Sequence, residues 1–213
     1  MNIKVIPYKD AIEFLLPRHY SGRKPIISVA YGWFKGNDIM AVCTFGKPAS
    51  NSLCKGIAGD KWSSNVYELN RLCRLDHLEH QLSEFVAGCL KLLKERDWII
   101  VSYADSGMDH NGYIYQACNF MYTGATKRRT EKYTKGNKHS RHYKNEEQTG
   151  MRKIRTSKHR YVFFCASSKR IKKLWIKDMN YPICPYPKGK NSNYVLGEYQ
   201  EPILVPDKTK GVK

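Results

Sequence analysis

Acidic residues are scarce in this sequence. Its 213 residues contain 19 Asp and Glu against 37 Lys and Arg, a formal charge of +18 with a pI near 9.6. That imbalance excludes the near-neutral profile of an ordinary metabolic enzyme and requires a polyanionic partner. Long apolar runs are also missing. None approaches the ~20 residues that span a bilayer, and the opening MNIKVIPYKD lacks the pattern of a secretory signal. The expectation is a cytoplasmic chain with no membrane partner. The seven cysteines form no CxxC pair and mostly sit inside apolar stretches, which argues for reduced, buried thiols. There is no internal repeat.

Hydrophobic content of 41% is enough for one core. The predicted organisation is a single domain over residues 1–189, with a basic insertion at about 127–160 and an irregular tail over 190–213. Asn2 to Pro7 reads as a strand and Lys9 to Leu16 as a helix ended by Pro17. Ile26 to Phe34 and Ile39 to Phe45 read as a hairpin around Lys35-Gly36-Asn37-Asp38. Gly46 to Ser64, rich in Gly, Ser and Lys, reads as a long loop, and Val66 to Leu75 as a strand. From Leu78 to Arg96, apolar residues Leu82, Phe85, Val86, Cys89, Leu90 and Leu93 recur at three- and four-residue steps, the pattern of an amphipathic helix. A strand at Trp98 to Tyr103, a turn at Ala104 to Asp109, a short helix from His110 to Asn119 and a strand at Met121 to Thr126 follow.

Between Lys127 and Arg160, thirteen Lys or Arg stand against three Glu with almost no apolar periodicity, so this segment is expected to be a mobile basic excursion. It mixes aromatic with cationic residues: Arg128, Arg129, Lys132, Lys138, Arg141, Lys144, Arg152, Lys153 and Arg155 are the expected nucleic-acid contacts. Tyr161 to Ala166 is a further strand, and Ser167 or Ser168 caps a basic helix through Asp178. This order predicts an α/β (α+β) fold, a mixed and mostly antiparallel sheet flanked by helices.

Three polar clusters fall where strands end: His19-Tyr20-Ser21-Gly22, Tyr67-Glu68-Leu69-Asn70-Arg71 and Ser102-Tyr103-Ala104-Asp105. Taken singly, a loop histidine is usually structural, and Ser102 with Asp105 can simply cap the next turn. Together they point to a site. Tyr113 and Tyr115, just beyond, either pack or donate a proton to a leaving group. His77-x-x-His80 and His139-x-x-His142 have metal-ligand spacing but no third ligand beside them, so no metal site is assigned.

Read in order, HYSG (19–22), YGWF (31–34), TFGKPAS (44–50), KGI (55–57), YELNRL (67–72), VSYAD (101–105), YQACNFMYTG (115–124) and YPICPYPKG (181–189) resemble the Mom family of phage DNA-modification proteins. The resemblance implies a Gcn5-related acyltransferase (GNAT) fold. It also implies an enzyme that converts adenine in double-stranded DNA to carbamoylmethyladenine in the host cytoplasm, giving resistance to host restriction. The target adenine must leave the base stack for such chemistry. Its exocyclic amine is a weak nucleophile, so the site needs a base and donors to the acyl carbonyl. Asp105 or His19 is the candidate base. Tyr20, Ser102, Tyr113 and Tyr115 are the candidate hydrogen-bond donors, and Glu68, Asn70, Arg71 and Lys55 are the candidate substrate-binding residues.

Acyltransferases of this fold that use acetyl-CoA carry a Gly-rich turn that cradles pyrophosphate at a helix N-terminus. Here that junction reads Leu75-Asp76-His77-Leu78-Glu79-His80-Gln81, with two acids and no glycine. Glycyl-tRNA is therefore favoured over acetyl-CoA as donor, making tRNA a second expected partner beside DNA. Glycyl transfer to the adenine amine, attack of the glycyl amine on the same ring carbon and expulsion of the amide nitrogen together yield carbamoylmethyladenine.

Overall fold

A computed structural model describes residues 1–75, 82–134, 148–189 and 201–207. Both histidine pairs, the junction 76–81 and the expected contacts Lys138, Arg141 and Lys144 lie outside these residues.

The chain folds as β1 (Asn2–Val5), α1 (Tyr8–Leu15), β2 (Val29–Lys35), β3 (Asp38–Gly46), α2 (Asn51–Trp62), β4 (Val66–Arg74), α3 (Leu82–Leu92), β5 (Trp98–Asp105), α4 (Tyr113–Ala117), β6 (Met121–Ala125), β7 (Arg129–Thr134), β8 (Gln148–Arg155), β9 (Lys158–Cys165), α5 (Lys169–Asp178) and β10 (Leu204–Pro206). Seven strands form one sheet in the order β1-β2-β3-β4-β5-β9-β6, and β10-β8-β7 form a second. Among the described residues, only β4 and β5 pair in parallel.

Alternation along the strands decides which residues enter which core. On one face Tyr31, Trp33, Cys43 and Ile100 pack with Phe85, Val86, Cys89 and Leu90 of α3. On the other, Ala30 and Val42 meet Ala11, Phe14 and Leu15 of α1, while Ile99, Val101 and Val162 meet Ile57 of α2 and Trp175 of α5. The helical spacing of the α3 apolar residues is thus the spacing of its buried stripe. Six of the seven cysteines are buried and all seven are free thiols. Among the described residues no helix is long and apolar enough to cross a membrane.

Two expectations are corrected. The predicted loop from Gly46 to Ser64 contains α2. Ser50 caps it by accepting the Leu53 N–H, and Cys54, Ile57 and Ala58 are buried at helical spacing. Gly56 and Gly59 hid that pattern, and the helix kinks where Gly59 takes φ +78°. Within the basic excursion, β7 and β8 pair as antiparallel strands, and Leu204–Pro206 of the expected irregular tail adds a third strand. Backbone pairing rather than a core holds this small sheet. Its charges are partly matched: Glu131 sits 3.2 Å from both Lys153 and Arg155, and Arg152 lies 3.6 Å from the buried Asp207 carboxylate.

Candidate active site

The parallel pair β4 and β5 joins only at Val66–Ile99, Tyr67–Ile100 and Glu68–Val101, with no ladder pair beyond. The divergence opens a cleft of about 1280 Å³. Divergence exposes backbone, and Ser102 answers it: its buried hydroxyl donates to the Leu69 carbonyl at 2.9 Å. On the β3 side, β4 bulges. Thr44 faces Arg71 and Phe45 faces Leu69, so Asn70 is the extra residue and the strand's alternation breaks there. The cleft is lined by β4 from Glu68 through Arg74.

The turn after α1 supplies the next groups. The His19 N–H returns to the Leu15 carbonyl at 2.8 Å, and the Gly22 N–H to the His19 carbonyl at 3.0 Å, closing the HYSG turn over the cleft. The Ser21 amide donates to His19 Nδ1 at 3.1 Å. An amide N–H can only donate, so Nδ1 holds the lone pair and Nε2 carries the proton. Burial, then Arg71, His110 and Lys158, lower the His19 pKa to about 3. His19 is therefore a neutral donor in the resting site. It stacks on Tyr20 at 4.5 Å, and Tyr20 meets His110 edge-on at 6.1 Å. Burial, reinforced by Asp105 and opposed by Arg71, raises the Tyr20 hydroxyl to about 12, so it too stays protonated.

Asp105 is held in place by three neighbours. Lys158 Nζ lies 2.8 Å from Oδ2, while the Thr156 hydroxyl at 2.5 Å and the Gly107 amide at 3.0 Å donate to Oδ1. Burial alone would raise its pKa, but Lys158 and these hydrogen bonds hold it below the ordinary value. The carboxylate caps the turn Ser106–Met108, the structural alternative read from the sequence. Glu68 behaves oppositely: burial raises its pKa, with Arg71 and Lys158 opposing. It is the better-suited proton acceptor of the two.

Tyr113 and Tyr115 both line the cleft, Tyr113 largely exposed and Tyr115 packed against Phe120 and Tyr161. Burial raises the Tyr115 hydroxyl, and a hydrogen bond with Ser102 opposes this. The α4 start that carries them depends on Gly112, at φ +78°, where a β-carbon would fall 2.3 Å from the Tyr161 ring. Asn70 is spent on structure: it accepts from Thr44 Oγ1 at 2.6 Å and donates to the Ile26 carbonyl at 2.7 Å. Arg71 donates to the carbonyls of Asn70 (2.6 Å) and Arg23 (3.3 Å), and its buried Nε has no acceptor among the described residues.

Two placements differ from expectation. Lys55 does not line the cleft; it is exposed on α2 and pairs with Asp60 at 2.7 Å. Ser102 lies beneath the cleft floor, its hydroxyl engaged. Of the expected nucleic-acid contacts, Arg129, Lys153 and Arg155 line the cleft, whereas Lys132 and Arg152 stand outside it on the small sheet and Arg128 just before β7. Sequence reasoning missed Tyr103, His110, Lys158, Arg160 and Tyr181. Tyr103 lay inside a recognised cluster and Tyr181 inside a recognised motif, but nothing local joined His110, Lys158 or Arg160 to the site, which they reach only through the fold. The Arg160 guanidinium lies 3.4 Å from the Tyr181 ring centroid and donates to the Thr123 carbonyl at 2.8 Å. In all, nine Lys or Arg line the cleft against four Asp or Glu, so its field is positive.

A mixed sheet with one splayed parallel pair, a bulged β4 and helices on both faces is the fold of the GNAT acetyltransferases. A putative acetyltransferase from Salmonella typhimurium, solved with its cofactor acetyl-CoA, is similar at 8% identity and TM-score 0.50, over 79% of this chain and 95% of that one. An N-acetyltransferase from Staphylococcus aureus Mu50 is 10% identical with TM-score 0.48 (77% and 98% covered). An IAA acetyltransferase from Bacillus cereus is 14% identical with TM-score 0.46 (76% and 98%). No curated protein matches the chain in sequence. The chain belongs to the Mom protein family, whose model matches residues 1–188.

Proposed function

We propose that this protein transfers an acyl group to the exocyclic amine of an adenine in double-stranded DNA, and that the product is carbamoylmethyladenine, a base that protects DNA from restriction. The observation that carries the reading is the joining of Glu68, Arg71, His19 and Tyr20 in one cleft with a strongly cationic lining. Depth and charge suit an extruded base held by its flanking phosphates.

Each group then has a step. The Glu68 carboxylate takes a proton from the adenine amine as its nitrogen attacks the acyl carbonyl. Tyr20 O–H and Arg71 Nε–H receive the developing oxyanion. The carbon–oxygen bond to the leaving group breaks, and Glu68 returns the proton to the departing oxygen. His19 Nε2–H donates to the purine ring as the glycyl amine attacks the ring carbon; the bond from that carbon to the amide nitrogen then breaks, and the proton lost by the attacking amine passes to the departing amide nitrogen.

Acetyl-CoA is the donor that the Salmonella relative holds. In this chain Glu84 occupies the first turn of α3, so a pyrophosphate at that helix start would meet an acid. An acid at that helix start disfavours CoA. Glycyl-tRNA, which brings glycyl as an ester and its own polyanion, is the donor of this proposal.

Nucleoside mass spectrometry of DNA from expressing cells tests the reading. Glu68→Gln is expected to lower modification by about 10²–10⁴-fold while duplex affinity is kept. Purified protein supplied with glycyl-tRNA or with acetyl-CoA separates the donors; conversion by acetyl-CoA without tRNA rejects the aminoacyl route. A purely binding protein would leave no altered base in any background, and an RNA- or protein-directed acyltransferase would mark those molecules instead.

A further inference from the structure

Helix α5 carries a second charged surface outside the cleft. Lys169, Arg170, Lys172, Lys173 and Lys177 are all exposed, and Lys169, Arg170, Lys173, Leu174 and Lys177 share one shallow groove. No carboxylate among the described residues pairs with any of these cations. The one acid of the helix, Asp178, accepts from Trp62 Nε1 at 2.7 Å and lies 3.9 Å from Lys61 Nζ.

This surface is held rigidly. Trp175, fully buried, fixes the opposite side of the helix against Phe164 and Trp62, at ring separations of 5.6 and 6.0 Å. Ser168 caps the N-terminus by accepting the Ile171 N–H at 3.2 Å. Such charge placement works against the helix itself. Lys169 and Arg170 stand in the first turn, where the positive end of the helix dipole repels cations, and like charges at four-residue spacing repel each other. A helix selected for folding alone would carry acids at its start.

We infer that α5 is a second phosphate-binding surface, which grips the backbone of duplex DNA beyond the base pair held in the cleft. At a rise of about 1.5 Å per residue, Lys169, Lys173 and Lys177 stand about 6 Å apart over about 12 Å, a straight row matched to successive phosphates of a regular strand. No aromatic side chain lies among the groove residues, so the surface is built for a backbone rather than for unstacked bases. The chain after α5 leads directly to Tyr181 at the cleft, so one duplex can follow both surfaces. This inference rests on reading duplex DNA as the substrate.

The test is the salt dependence of binding to a labelled duplex by fluorescence anisotropy. Lys169→Gln/Lys173→Gln/Lys177→Gln is expected to reduce the slope of log affinity against log salt by about 2.7, at about 0.9 per phosphate lost. Replacing the same three lysines by arginine should keep the slope. An unchanged duplex slope overturns the inference. So does a slope that falls on labelled tRNA but not on duplex, or lost sedimentation with phosphatidylserine vesicles while duplex binding is untouched. If the slope falls as expected yet no variant, native chain included, makes modified base, the surface stands and the catalytic reading falls.

Discussion

Replacing His19 by Asn probes the electrostatics of the cleft without any substrate. Burial and three cationic or imidazole neighbours hold the folded His19 near pKa 3, against 6.5 when exposed. Below pH 6.5 the unfolded chain takes up a proton that the folded chain refuses. The unfolded state thus binds more protons between pH 6.5 and 3, and stability rises with pH across that window. His19 makes its full contribution above pH 6.5 and loses it as pH falls toward 3, at up to ~1.4 kcal/mol per pH unit. From pH 7 to pH 5 this amounts to about 2 kcal/mol. Asn keeps an acceptor near the Ser21 amide but cannot titrate. Urea unfolding of both proteins at a series of pH values gives the comparison, and the variant should lose about 2 kcal/mol less than the native chain over that interval. His110 and His159 are also held below their ordinary values, chiefly by burial, but they are common to both proteins and cancel in the difference. Parallel stability profiles would refute the claim that His19 is a neutral donor.

Further outcomes follow from the packing. Ser102→Ala leaves the Leu69 carbonyl without its donor and should cost about 1–3 kcal/mol in denaturant unfolding. If Ser102 only secures the splayed strands, turnover per folded molecule should change little, measured on the same preparation. Gly112→Ala meets both a left-handed φ and the Tyr161 ring, so a marked loss of thermal stability and of modification together is expected. Trp175 buries its Nε1 without a partner among the described residues. Trp175→Phe removes that orphan donor and should cost clearly less than Trp175→Ala, for which about 3–5 kcal/mol is expected from calorimetry or urea titration.

Several features were legible in the chain because they are local. The β2–β3 hairpin, the buried stripe of α3, the strand β5 and the charge surplus each follow from neighbours within a few residues. The clusters around His19, Glu68 and Asp105 could be singled out because polar groups at strand ends are seldom there for packing alone. Helix α2 was hidden for an equally local reason: two glycines and a kink erase the periodicity that Cys54, Ile57 and Ala58 would otherwise show. The strand pair β7–β8 has no apolar alternation to read, because its strands are held by backbone pairing and by Glu131 between two cations.

What the linear chain determined by itself was most of its elements, its charge surplus and the three polar clusters. Which of those groups meet, and in what protonation state, was settled only by folding. Pairing of β4 with β5 stops after three residues, and that divergence makes the cleft. The bulge at Asn70 breaks the alternation of β4 where it borders the cleft, and β9 delivers Lys158 to Asp105 from 53 positions away along the chain. Proton affinity depends on burial and on charges brought close in space, quantities that sequence distance does not encode, so Glu68 and Asp105, both plain acids on paper, diverge in opposite directions.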